Sequence, residues 1–212
     1  MFRYWNTIHY FFPYKYAIGS DWEDVLLEFI PRMSEVQTAE EYHLAVREYT
    51  ARINDSHAST WSLILSEYWG NYYPPFEVRY IEKKTIVTRV FSNLLPEKNL
   101  IRIGDIIEKV DDNPIDSRRD NLAKYMGASN PDSRQRNINY YLFLGSSDHL
   151  DLRLDRAGKK IEVLVPRYLY ETIQAEKEIP VPELPWKIME GNIGYIDMGW
   201  LTPEDVDAAS LH

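Results

Sequence analysis

Asn54, Asp55, Ser56 and His57 place an amide, a carboxylate, a hydroxyl and an imidazole on consecutive residues. A histidine exchanges its proton near neutral pH, and a serine hydroxyl attacks carbonyl carbon once a base removes its proton. Neighbours at i and i+1 on a helix or tight turn face different directions, so Ser56 is badly placed to be the nucleophile that His57 deprotonates. If both take part in chemistry, they serve different partners. A second reading is structural: Asn54 and Asp55 close the preceding helix through side-chain to backbone bonds, and His57 is favoured at the negative end of its dipole. Alone, the four residues weigh toward the second reading; the sequence around them has to decide.

The elements before this stretch read as helices. Phe2, Trp5, Ile8, His9 and Phe12 recur at helical spacing up to Pro13, giving a short helix with an almost wholly aromatic face, read as core. Ser20 and Glu23 form a capping-box pattern ahead of a stripe of Trp22, Val25, Leu26, Phe29, Ile30 and Met33, which Pro31 is expected to break or kink. Thr38 and Glu41 repeat the pattern, followed by Tyr42, Ala45, Val46, Tyr49 and Ile53 on one face. This third helix delivers Ser56 and His57. His43 lies off its stripe with no metal-ligand spacing around it and reads as a surface histidine.

Composition narrows the function. With 212 residues, 44% of them apolar, the chain can bury a sizeable core. The 24 basic against 33 acidic residues leave a net charge of -9 with no basic run, which opposes a phosphate backbone, so nucleic acid is not an expected partner. The chain has no cysteine, which excludes disulfides, thiolate metal sites and a cysteine nucleophile. No run is long and apolar enough to span a bilayer, and neither a metal nor a cofactor is implied. The aromatic helix pattern begins at Met1 without a signal core, and Thr202-Pro203-Glu204-Asp205 opens a helix just before His212. Both ends are therefore expected to be cuts within a longer protein.

The aromatic helix, Asp21-Trp22 opening the next, Ile30-Pro31, Glu41-Tyr42 opening a third, and Asn54-Asp55-Ser56-His57-Ala58 together resemble the N-terminal part of tricorn-like serine peptidases, relatives of the C-terminal-processing peptidases. The resemblance implies a Ser-His-Ser-Glu tetrad to which this stretch contributes His57 as general base and Ser56 as accessory hydroxyl. The nucleophilic serine and the glutamate would follow beyond residue 212. It also implies an extracytoplasmic setting.

Past Tyr72-Tyr73-Pro74-Pro75 the period changes to two, in residues 76 to 80 and 85 to 90. Ile103-Gly104-Asp105-Ile106, the turn Asp111-Asp112-Asn113-Pro114, a helix from Ile115 through Leu122, Tyr125 and Met126, and strands at Leu150 to Leu154 and Ile161 to Val165 are similar to the PDZ modules of bacterial proteases. That resemblance implies a peptide added as a strand beside Phe76, Val78 and Tyr80, with Leu122, Tyr125 and Met126 as the pocket wall. Pro74 and Pro75 carry no N–H, so carboxylate capture by that loop is not expected. Residues 132 to 144 read as an inserted helix, and Gly145-Ser146-Ser147-Asp148-His149 as a polar loop without a nucleophile-elbow motif.

The expected fold is α+β: a helical domain over 1–70, a PDZ-like β-rich domain with a helical insertion over 71–168, a linker over 169–187, and the first strand (Gly194 to Met198) and helix of a truncated protease domain over 188–212. The expected function is recognition of polypeptide and supply of the base His57 within a serine endopeptidase. The chain by itself is expected to hydrolyse nothing, since no serine in it has both a base and an oxyanion site in motif context. Two rivals stand beside this reading: a non-catalytic adaptor that holds peptides or proteins, and a purely structural surface protein.

Overall fold

The structure, a computed structural model, describes residues 1–97, 100–177, 185–199 and 202. It mixes helix and sheet, 40% and 26% of the chain, consistent with an α+β fold. Met1–Ile173 is one compact unit and Gln174–His212 a second.

Three helices pack around an aromatic centre: α1 (Phe2–Phe11), α2 (Trp22–Ser34) and α3 (Ala39–Ala51). Tyr49 of α3 stacks on Trp22 at 5.4 Å between ring centroids, with Phe29 at 4.9 Å and Tyr4 edge-on at 5.7 Å. Trp5 and Trp22 exchange indole hydrogen bonds, each donating Nε1–H to the other's backbone carbonyl at 3.0 and 3.2 Å, so both ring nitrogens are satisfied, that of buried Trp22 and that of half-buried Trp5. Burial holds the Tyr4 phenol up at about 12. The Thr38–Glu41 capping box forms with both reciprocal bonds. The box expected at Ser20 does not: Asp21 is the cap, its carboxylate accepting from the Glu23 N–H at 2.8 Å, because the chain enters the helix one residue later. Pro31 does not stop α2. It lies in the last turn, where its carbonyl still accepts from the Glu35 N–H and the Ser34 hydroxyl at 3.1 and 2.7 Å.

A short α4 (Leu63–Trp69), capped by Ser62, leads through Gly70 to β1 (Tyr72–Tyr73), β2 (Phe76–Ile81), β3 (Lys84–Val90), β4 (Ile106–Val110) and β5 (Asn113–Pro114). Then follow α5 (Ile115–Ala123), α6 (Pro131–Tyr141), β6 (His149–Arg156), β7 (Lys159–Pro166), β8 (Tyr168–Leu169) and α7 (Tyr170–Lys177). The main sheet runs β2-β3-β4-β6-β7, with β5 paired to β4; β1 pairs with β8. Three of its hairpins turn through two residues with positive φ, Glu82-Lys83, Asp111-Asp112 and Ala157-Gly158, the backbone hand that matches strand twist. α5 packs on β4 and β5, and α6 on β2. The core between them holds Val87, Ile107, Val110, Met126, Ile138, Leu142, Leu150, Leu152, Leu154 and Val165. The Gly104-Asp105 turn is structural: buried Asp105 receives a bidentate Arg156 at 2.8 and 2.7 Å.

Three arginines, Arg47, Arg119 and Arg167, are buried. Arg119 donates to Thr85, Gln135 and Asn139 at 2.6 to 2.9 Å and stacks over Tyr80, and burial lowers its pKa to about 10. Arg167 donates to the carbonyls of Phe143 and His149 and to Asp111.

In the second unit β9 (Trp186–Met189) pairs antiparallel with β10 (Ile193–Ile196). A strand is therefore present where one was expected, beginning one residue early and ending at Ile196 rather than Met198. The expected linker is not all linker: residues 170–177 form α7, whose Ile173 is buried. The helix expected from Thr202 lies outside the described residues.

Gly70 has φ +87° and ψ 160°, a region closed to side chains, and a Cβ on it would meet the Gly145 carbonyl carbon at 2.0 Å. Gly104 also has positive φ, +93°, with nothing within 4 Å of a Cβ. Gly104→Ala is expected to cost about 1 to 2 kcal/mol, the strain alone, and Gly70→Ala more than about 4 kcal/mol. Urea midpoints of the two variants check this; equal costs would show that the approach of Gly70 to Gly145 constrains nothing.

Candidate active site

The end of α3 is fixed before the site begins. Asn54 takes φ +55°, a conformation asparagine tolerates at a helix end, and donates its amide to the Ile18 carbonyl at 2.6 Å while accepting from Arg134 at 2.6 Å. Its helix-closing role is thus tertiary as well as local.

Asp55 begins an Asx turn. Its Oδ1 accepts from the His57 backbone N–H at 2.8 Å and contacts His57 Nδ1 at 3.0 Å. The backbone N–H, and after it the ring, hold the Asp55 carboxyl below the usual carboxylate range. An ionised carboxylate only accepts, so Nδ1 carries the proton and Nε2 presents its lone pair. The His57 side chain is 97% exposed, so that lone pair faces outward. An imidazole whose tautomer is set by a carboxylate and whose Nε2 is open can accept a proton there.

Ser56 turns the other way. Its hydroxyl lies 3.3 Å from Ser129 Oγ and accepts from the Ser129 N–H at 3.2 Å, joining the turn to the segment between α5 and α6. Beside it Gly127 is tightly placed: a Cβ would come within 3.2 Å of Ala51 Cα and 3.3 Å of the Asp55 carbonyl, so the neighbouring backbone would have to give by a few tenths of an ångström. Arg47 completes the mount, donating to the carbonyls of Thr60 at 2.8 Å and Tyr125 at 3.0 Å. His57 is therefore an exposed side chain on a pinned backbone.

The sequence did not signal Asp55 as the orienting residue, since its type and place suit capping equally well. Ser129 carried no signal at all, being 73 residues away. An aspartate on a histidine is not diagnostic alone: Asp148 contacts His149 Nδ1 at 2.8 Å in the polar loop, where Arg167 also holds Ser147 and His149, and what differs is the exposure of the carboxylate, 72% for Asp148 against 26% for Asp55. No group of metal ligands occurs among the described residues.

The six residues expected to face a peptide do not line one groove. Phe76, Leu122, Tyr125 and Met126 are buried in the core: α5 stops at Ala123, short of the expected Met126, so Leu122 packs from the helix and Tyr125 and Met126 from the turn and segment after it, and Phe76 points inward with the pleat. The element beside β2 is α6, not α5. Val78 and Tyr80 are half-buried, the first with its carbonyl accepting from Asn139 at 3.4 Å, the second beneath Arg119. Leu122 and Tyr125 do reach a cavity, but no residue of β2 bounds it.

Neither a family model nor a curated protein matches this sequence. Among solved structures, a serine-to-alanine mutant of CPAF, a chlamydial serine protease, is similar in fold: TM-score 0.50 and 16% identity over 72% of this chain and 29% of that one. Mature CPAF gives TM-score 0.49 at 15% identity over 82% and 34%, and mature CPAF complexed with lactacystin 0.48 at 15% over 80% and 34%. The chain spans about a third of the length of these proteins. At this identity the likeness is one of fold, that of part of a serine protease.

The Asp55 carboxyl titrates lower folded than unfolded, so the stability it contributes is fully present above its unfolded value, near pH ~4, and is lost as pH falls through the folded one. Asp55→Asn is expected to lower the melting temperature at neutral pH, with the gap from the native chain closing on acidification. In nitrogen-15 spectra of the neutral side chain, native His57 is expected with its proton on Nδ1, and the variant with the proton redistributed toward Nε2. A gap that widens below pH ~4 would show that the carboxylate does not stabilise the turn.

Proposed function

We propose that this chain is the N-terminal and PDZ-type portion of a serine endopeptidase of the tricorn-like, C-terminal-processing kind, with His57 as general base for a nucleophilic serine beyond residue 212. The observation that carries this is the Asp55–His57 contact, with Nδ1 on the carboxylate and an exposed Nε2 on a fixed turn. The fold likeness to part of a serine protease agrees with it.

In this reading His57 Nε2 takes the proton of the serine hydroxyl as its oxygen attacks the scissile carbonyl. The imidazolium then returns the proton to the leaving amine, and Asp55 stabilises the cation formed between the two steps. Proton transfer of this kind contributes roughly 10²- to 10⁴-fold. Ser56 supports the loop through Ser129 rather than reacting. Polypeptide would add along the outer edge of β2 at Val78 and Tyr80, β2 being an end strand of the sheet. The buried Phe76, Leu122, Tyr125 and Met126 shape that edge only through the core.

In the full-length protein, folded by thermal melt, His57→Ala is expected to lower turnover of a peptide substrate by on the order of 10⁴- to 10⁶-fold. Asp55→Asn, which leaves the wrong tautomer, should cost about 10³- to 10⁴-fold, and Ser56→Ala less than about tenfold. A folded His57→Ala protein keeping more than about a tenth of its activity, a barrier change under about 1.4 kcal/mol, would remove His57 from the role of base and leave the adaptor reading.

A further inference from the structure

A cavity of about 380 Å³ opens between α4, α5, the end of α6 and the loop after it. Its walls include Trp69 and Tyr141, whose rings meet edge-to-face at 4.8 Å with Arg47 behind both. Arg118, Arg167 and Asp111 also line it. Arg167 and Asp111 pair with each other at 3.2 Å, and Arg167 spends its remaining donors on Phe143, Ser147 and His149. Arg118 is different. Its Nε and Nη2 donate to the carbonyls of Leu142 and Leu144 at 2.6 and 3.1 Å, just past the end of α6, while Nη1 has no hydrogen-bond partner among the described residues. Nor does Arg118 form an ion pair there, although burial penalises its charge enough to lower its pKa. Asp111 acts on the Arg118 charge without pairing with it, and Arg167 acts against it. A partly desolvated guanidinium hydrogen-bonded only to neutral carbonyls gains from a directly bound carboxylate more than a solvated one does, because carboxylate and guanidinium match as a fork and water competes less.

We propose that this cavity binds a carboxylate carried on an apolar or aromatic body, the anion on the free side of the Arg118 guanidinium and the body against Trp69 and Tyr141. The volume suits one or two residues of a peptide or a small organic acid. The charges agree: two arginines against one aspartate leave the lining at +1 before the ligand enters. The site is independent of the His57 reading and of strand addition at β2.

The test uses the 212-residue chain with N-acetylphenylalanine and its amide, followed by isothermal titration and the indole resonance of Trp69. The acid is expected to bind at least tenfold tighter than the amide and to shift Trp69. Two hexapeptides of otherwise glycine and serine then separate the sources of carboxylate. One ends in phenylalanine as the free acid, and the other carries an internal phenylalanine-glutamate pair under an amidated end. Tight binding of the first alone assigns chain ends, of the second alone acidic side chains. Arg118→Gln should lose tenfold or more for the acid. Because Arg118 also braces the chain after α6, Ser146→Glu, on the exposed rim, is the second variant, expected to weaken the acid at least threefold with the melting temperature unchanged. Equal affinity for acid and amide, no binding of either at millimolar concentration, or acid binding that ignores Ser146→Glu would each overturn the proposal.

Discussion

A guanidinium removed from water keeps its charge, so it must find acceptors, and whichever backbone supplies them is fixed in place by the same act. Arg47 is 6% exposed and takes its acceptors from Thr60, in the loop after the candidate base, and from Tyr125, at the end of the helix that covers the sheet. One side chain from α3 therefore joins the aromatic helices to the β-rich part of the unit and ties down the far end of the 54–60 loop. Its guanidinium also lies within 6 Å of the rings of Trp69 and Tyr141. Replacing it by an apolar residue would leave two carbonyls unpaired at the junction. The cost would fall on loop position as much as on stability.

The exposed imidazole and the cavity both follow from this junction. A histidine on an unrestrained loop would sample many directions; here the turn is held at Asn54 by Ile18 and Arg134, at Ser56 by Ser129, and at Thr60 by Arg47. Four partners acting at three positions of the loop leave His57 little beyond its own side-chain rotation. Positioning of that kind is what a proton-transfer group requires, since the rate depends on the fraction of time the acceptor is aimed.

What the sequence carried was what depends on neighbours along the chain. Periodicity located α1, α2 and α3, and the Thr38–Glu41 box needed nothing distant to form. Alternation located β2 and β3, and the PDZ resemblance β6 and β7. What it did not carry was which side of an element meets which partner. Leu122, Tyr125 and Met126 have the spacing of a pocket wall and equally that of a core stripe, and only the placement of α6 against β2 separates the two. Ser56 and Asp55 were both visible, but their roles were not, because the choice between them rests on Ser129. The turn at Asp111-Asp112 was visible but its hand was not: it and Glu82-Lys83 hold positive φ without glycine, so no turn signature marked the backbone conformation.

The distribution of charge sets how anything anionic reaches this molecule. The chain carries a net -9, and three of its arginines are enclosed, so the charge that solvent meets at the surface is more acidic than composition implies. At distances near the Debye length, about 8 to 10 Å in physiological salt, an anion is repelled. Within the cavity the nearest charges are Arg118 and the Arg167–Asp111 pair, in surroundings that screen poorly. Attraction is therefore short in range and repulsion long. A ligand selected this way associates slowly, and its affinity rests on the dissociation rate, with the fork of Arg118 and the aromatic wall discriminating at contact rather than a field steering from afar. Added salt weakens both terms, so a shallow net dependence on ionic strength belongs to this geometry, in contrast to a basic surface patch.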